Sequence, residues 1–239
     1  MNRVLTQAAW EIRAILRNGE QLLVSFIMPL LALVILLKVG AIELPDPRST
    51  HALAGALAMA VIASSFTSQA ILLAFDRRWG VLRMFSTTPL GPRGLLGGKA
   101  VAVGVVVTVQ ALVLGFATAV LSTWRPHSGT ALLAGALMVA VGTVSFVALA
   151  MCVGGTLRPE AVLAIANIAF VLMVVAGGVL VPLSDSLVGT VLSYTPFGAL
   201  GEGMRAALTG HLPLGALLTE AAWALALGML AIRTFRWES

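Results

Sequence analysis

The sequence predicts an all-α polytopic membrane protein, and three observations predict it. Of 239 residues, 59% are hydrophobic and 10% charged, against about 25% charge in an average soluble domain. Mean hydropathy is +1.00, and a soluble fold of this size cannot hide so much apolar surface, because its surface-to-volume ratio limits burial. Six apolar stretches are long enough to cross about 30 Å of hydrocarbon as helices rising roughly 1.5 Å per residue. Lipid is therefore the solvent. A cytosolic enzyme, a nucleic-acid-binding domain and a secreted disulfide scaffold are excluded. The pI of 10.7 rests on a net charge of +5 and reads as membrane topology, with no nucleic-acid partner. Cys152 lies in an apolar run and reads as a packing thiol.

The expected spans are 22–39, 52–75, 100–123, 131–153, 161–181 and 213–232. Together, 22–232 form one six-span bundle in a single domain, preceded by an interfacial helix over 1–20 and followed by a tail over 233–239. Pro29 sits near the middle of the first span and predicts a kink or tilt. The first apolar run is too long for a cleavable signal, and no small-residue cleavage site closes it. Placing the N-terminus inside puts 11 of the 15 Lys and Arg on the cytoplasmic side. The positive-inside rule then makes both termini cytoplasmic in a multi-pass cell-membrane protein.

Three segments are not spans. In the first, Val4, Ala8, Ile12, Ile15 and Leu16 recur at helical spacing, with Arg3, Gln7, Glu11, Arg13 and Arg17 on the other side. Such a helix lies in the interface, its apolar stripe in the acyl boundary, its arginines near lipid phosphates, and Trp10, Arg13 and Arg17 as anchors. A topogenic basic tail is the plainer alternative. The second segment, 75–100, holds a third of the basic residues. Trp79, Leu82, Met84 and Phe85 lie beside Arg77, Arg78 and Arg83, before the breakers Thr88-Pro89 and Gly91-Pro92. A short surface helix ended by Pro89 would present the aromatic and arginine mixture that protein interfaces favour. A partnerless positive-inside loop is its alternative. The third segment lies between the last two spans. Gly177-Gly178 and Pro182 close span five, Leu183 to Leu192 give one amphipathic pattern, and Phe197 to Leu208 carry Glu202 and Arg205. These pieces are too short to cross and too apolar for an ordinary loop, so they read as a re-entrant hairpin on the outer side.

Catalytic chemistry finds no support. There is no His-Glu-x-x-His, no cysteine pair and no carboxylate cluster, and no span places a histidine beside a serine to act as its base. Gly97-Gly98-Lys99 is a decoy for a phosphate loop, because Arg93 and Ala100 stand where Gly and Ser or Thr are needed. No cofactor is expected. Polar residues within spans are costly and therefore informative. Gln69, Gln110, Asn167 and Glu220 either line a passage or brace helices against each other. For Glu220, a salt bridge to an outer basic group such as Lys38 is the rival.

At this point the chain resembles the membrane subunits of ABC-2 type transporters, most closely the bacterial daunorubicin-type drug-resistance permeases. Gly80-Val-Leu-Arg-Met-Phe-Ser-Thr-Thr-Pro89-Leu90 with Gly98-Lys99 is similar to the family's loop between spans two and three. Gly178-Val-Leu-Val-Pro182, Tyr194-Thr-Pro196-Phe197 and Arg205 are similar to its C-terminal signature. Arg83 stands where an acidic residue is common. The resemblance implies a permease subunit that is not itself an enzyme. It implies a homodimer or a heterodimer with a homologous permease, two ATPase subunits that consume ATP, and export of a drug or another small amphiphile such as a lipid. The coupling helix that docks on the ATPases would carry Arg77, Arg78, Trp79, Leu82, Arg83 and Phe85. A secondary transporter and a membrane scaffold or assembly factor without an ATPase partner are the rival readings. A secondary transporter would favour ionisable midplane residues and an inverted repeat.

Overall fold

The computed structural model describes residues 3–17, 19–40, 42–81 and 91–234, and among these the chain is helical with no strand. Helix α1, Arg3–Arg17, is followed directly by α2, Gly19–Lys38, which continues through Pro29. The second span is α3, Arg48–Ile62, then a π-helical turn over Ala63–Thr67, then α4, Ser68–Arg78. Helix α5, Gly91–Leu121, returns and α6, Gly129–Gly154, comes back. Helix α7, Pro159–Ala176, is followed by two short helices, α8 (Leu187–Ser193) and α9 (Pro196–Leu208), and by α10, Leu214–Thr234.

Helix limits follow local chemistry. Ser128, Ser186 and Thr195 cap α6, α8 and α9, each oxygen accepting a backbone N–H three residues on. Pro159 and Pro196 stand in first turns, where the missing N–H costs nothing. Pro92 likewise lies in the first turn of α5, so this expected breaker begins a helix. The fifth span ends at Ala176, not at residue 181, because Gly178 takes φ +75° and turns the chain back.

Among the described residues, five helical segments are long and apolar enough to cross a membrane: Arg48–Arg78, Gly97–Leu121, Gly129–Gly154, Pro159–Ala176 and Leu214–Thr234. The apolar stretch described for α2, Ser25–Lys38, is shorter. The second span is the hub. Helix α3 packs against α2, α5, α6 and α9, and α4 packs against α6 and α7. Its alanine-rich sequence lets neighbours approach closely, the usual device where lipid supplies no hydrophobic drive between helices. Helix α10 lies along α6, and α1 lies along α5. Helix α9 is enclosed, with Leu200, Met204, Arg205 and Ala207 all buried, whereas α8 leaves Leu187, Val188 and Val191 exposed.

Candidate functional site

Three polar sites stand out, one at each end of the bundle and one between them. At the α1 end, Lys99 on α5 is only 1% exposed. Its ammonium lies 3.1 Å from Glu11 Oε1 and 4.0 Å from Asp76 Oδ2. Gln7 Nε2 donates to the same Glu11 oxygen at 3.0 Å. A Cβ on Gly98 would lie 2.6 Å from Gln7 Cγ, so α1 is seated directly on the α5 backbone. This corrects the expected sides of α1. Gln7 is buried and Glu11 points into the protein, because a buried cation needs a counter-charge more than the acid needs water. Trp10 is 63% exposed, with the Arg13 guanidinium 5.9 Å from its ring centroid, the geometry of a cation–π pair. Arg17 closes the helix, and its side chain lies outside the described residues.

The expected docking residues divide. Leu82, Arg83 and Phe85 lie outside the described residues. Arg77 is buried and donates to the Leu157 carbonyl, joining α4 to the turn before α7. Arg78 pairs with Glu160 at the surface. Trp79 is 70% exposed and leans on Phe75, ring centroids 5.4 Å apart. The α1 end therefore gathers the N-terminal helix, the end of α4 and the start of α5 around one ammonium.

Between the ends, the π turn buries Ser64, Ser65 and Phe66. Wide turns of this kind recur at functional positions. Ser64 Oγ donates to Gln110 Oε1 at 3.0 Å, and Gln110 Nε2 donates to the Ser25 carbonyl at 3.0 Å, tying α2, the second span and α5. Gln69 is buried one turn below, and its carbonyl oxygen has no hydrogen-bond partner among the described residues. Glu220 is completely buried and Ser145 approaches it, but neither carboxylate oxygen makes a hydrogen bond among the described residues. Lys38 does not reach it; its ammonium donates to the Leu121 carbonyl at the C-terminus of α5. Asn167 differs from the other three. It lies on the exposed face of α7 among Leu163, Ile168, Val171 and Val175, its amide returning to the Leu163 carbonyl at 2.8 Å. Below this face, Leu172, Met173, Leu192 and Phe197 line an open apolar groove.

At the far end, Arg205 is 2% exposed. It donates to the carbonyls of Gly178 and Val179 and to both oxygens of Glu202. Glu202 in turn accepts the Leu183 N–H at 2.9 Å. One guanidinium fork thus holds the whole returning segment after α7.

The Lys99 and Glu11 pairing, 88 residues apart, has no periodic signature; the only hint is an acid among the arginines of α1. Among proteins of known family, the model described as "ABC-2 type transporter" matches residues 3–208. A similar protein of Bacillus subtilis (strain 168), named "Putative transport permease YvfS", is 23% identical over 217 residues, covering 89% of this chain and 88% of its own length.

Proposed function

This chain belongs to the ABC-2 type transporter family, as a multi-pass membrane subunit of a transporter, and on that premise we propose that it is the permease of an ATP-driven exporter. Two cytoplasmic ATPase subunits hydrolyse the ATP, and the permease contributes no catalytic group. The α1 end, with both termini, faces the cytoplasm, and Trp79, Arg78 and the adjoining 82–90 connection dock on the ATPases. Helix α7 faces a second permease copy or a homologous one. The placement of Trp79 supports the docking half. A 70% exposed tryptophan stands at the same end as the exposed Trp10–Arg13 pair, and tryptophan with arginine is the composition of interface hot spots.

The path runs past Asn167. A carboxamide on a lipid-facing surface is costly, and a second subunit covering this face removes that cost. Gln110 braces the spans behind the wall through Ser64 and the Ser25 carbonyl, while Gln69 and Glu220 keep buried oxygens without partners among the described residues. The apolar groove beside Phe197 suits an amphiphile, a drug or a lipid, better than a highly charged sugar. Closure of the ATPases rocks the two permeases and opens this path outward.

The test is affinity purification from native membranes, which recovers an ATPase chain carrying a Walker A motif. Trp79→Ala with Phe85→Ala weakens that association at least about tenfold, the loss of one hot spot, while the permease keeps its unfolding midpoint. Undiminished binding in the double variant ends the docking assignment. Transport of a fluorescent amphiphilic cation by the purified chain alone supports the secondary-transporter reading instead.

A further inference from the structure

The Lys99 cluster has a placement that its burial alone does not require. Asp76 lies on the chain entering the 82–90 connection, Lys99 lies on the chain leaving it, and Glu11 lies on the N-terminal helix. Three elements that no short stretch of sequence joins therefore share one ammonium. The Glu11 side chain is 13% exposed and that of Asp76 30% exposed, so water screens these pairs little on the Glu11 side. Lys99 is turned inward and neutralised across 88 residues. The contact beside it is backbone-close, since the Gly98 position leaves no room for a Cβ next to Gln7 without a shift.

We infer that Lys99 is a positioning residue whose ion pairs to Glu11 and Asp76 make the N-terminal helix and both flanks of the 82–90 connection move as one body. The inference rests on the docking reading for its use: a push received at the connection reaches α1 through this ammonium. Coupling between two elements through a shared residue of this kind typically changes an equilibrium about 5- to 150-fold. Glu11→Ala is the informative variant, because it releases α1 and leaves Lys99 paired with Asp76.

The experiment is hydrogen exchange on the full-length permease in lipid nanodiscs, alone and with the ATPase that co-purifies with it. In the permease alone, Glu11→Ala speeds amide exchange over Arg3–Arg17 about tenfold and leaves exchange in α3 and α6 unchanged. In the complex trapped with ATP and vanadate, wild-type exchange changes together in α1 and in 75–81. In Glu11→Ala the change remains in 75–81 and disappears from α1. A Gln7→Cys, Gly98→Cys disulfide in a Cys152→Ala background restores the α1 response, and reduction abolishes it again; the two Cβ atoms would be 3.0 Å apart, shorter than the about 3.5–4.5 Å of a disulfide, so α1 lifts slightly from α5 to accept the bond. Unchanged α1 exchange in Glu11→Ala overturns the inference, as does an α1 that still follows 75–81, or a disulfide that restores nothing. If no ATPase accompanies the wild-type chain, the docking reading fails by itself, and exchange in the permease alone still decides the tie.

Discussion

The two ends of the bundle each bury a cation almost completely, Lys99 at one and Arg205 at the other, and they use it differently. Lys99 is a point charge between two carboxylates on separate helices, and its ammonium replaces hydration with ion pairs. Arg205 is a planar fork whose main partners are backbone carbonyls of Gly178 and Val179, with Glu202 on its own helix as counter-ion. The first arrangement depends on charge between elements. The second depends on shape within one returning segment. Removing Lys99 together with Glu11 leaves only the partly exposed Asp76, whereas removing Arg205 always leaves carbonyls without donors.

Substitutions test this difference, the largest effect first. Arg205→Ala lowers stability by about 3–5 kcal/mol, the cost of breaking a buried charge network, read from the unfolding midpoint in detergent. Arg205→Lys recovers less than half, because an ammonium cannot reproduce the fork. Lys99→Met costs less, about 1–3 kcal/mol, since it leaves the carboxylates of Glu11 and Asp76 unpaired but no backbone carbonyl without its donor. Adding Glu11→Met to Lys99→Met recovers most of that loss, but adding Glu202→Met to Arg205→Met recovers little. Equal recovery at both ends would erase the distinction. Gly201→Ala comes next, because its Cβ would meet the Gly178 oxygen at 2.5 Å and overpacking against backbone costs about 1–3 kcal/mol. Glu220→Leu is neutral or stabilising, since an unpaired buried acid gives way to an apolar side chain. A clear drop in midpoint there would mean that Glu220 has a partner outside the described residues. Arg78→Ala leaves the midpoint unchanged, because the Arg78–Glu160 pair is exposed and solvent screens it.

Hydropathy located the apolar elements within a few residues, since lipid burial is a property of composition over about 20 residues. The end of α7 escaped it. Val179, Leu180 and Val181 are as apolar as the helix, and only the positive φ at Gly178 separates them. A helical wheel placed Gln7 and Glu11 on the polar side of α1, which is right about polarity and silent about a buried lysine 88 residues away. The same limit applies to Gln110. Its residue type announced a polar contact inside a span, while its partners Ser64 and Ser25 came from two other helices. Arg205 was visible through family resemblance, and its grip on Gly178 and Val179 came only with the fold. Of the docking residues, Arg77 turned inward to the Leu157 carbonyl, which the run of basic residues around it gave no reason to expect.

The π turn at Ala63–Thr67 sets the rotational phase of everything after it in the second span. An α-helix advances about 100° per residue and a π turn takes up one residue more than an α turn, so tightening this turn to α geometry with all its residues kept would swing the lower half of the span by about that angle. Asp76 would leave Lys99, and Arg77 would leave Leu157, with no change in either residue. The aim of the α1 end is thus written in the middle of the second span, where a tightened turn misdirects it and the loss of one residue from the turn brings it back.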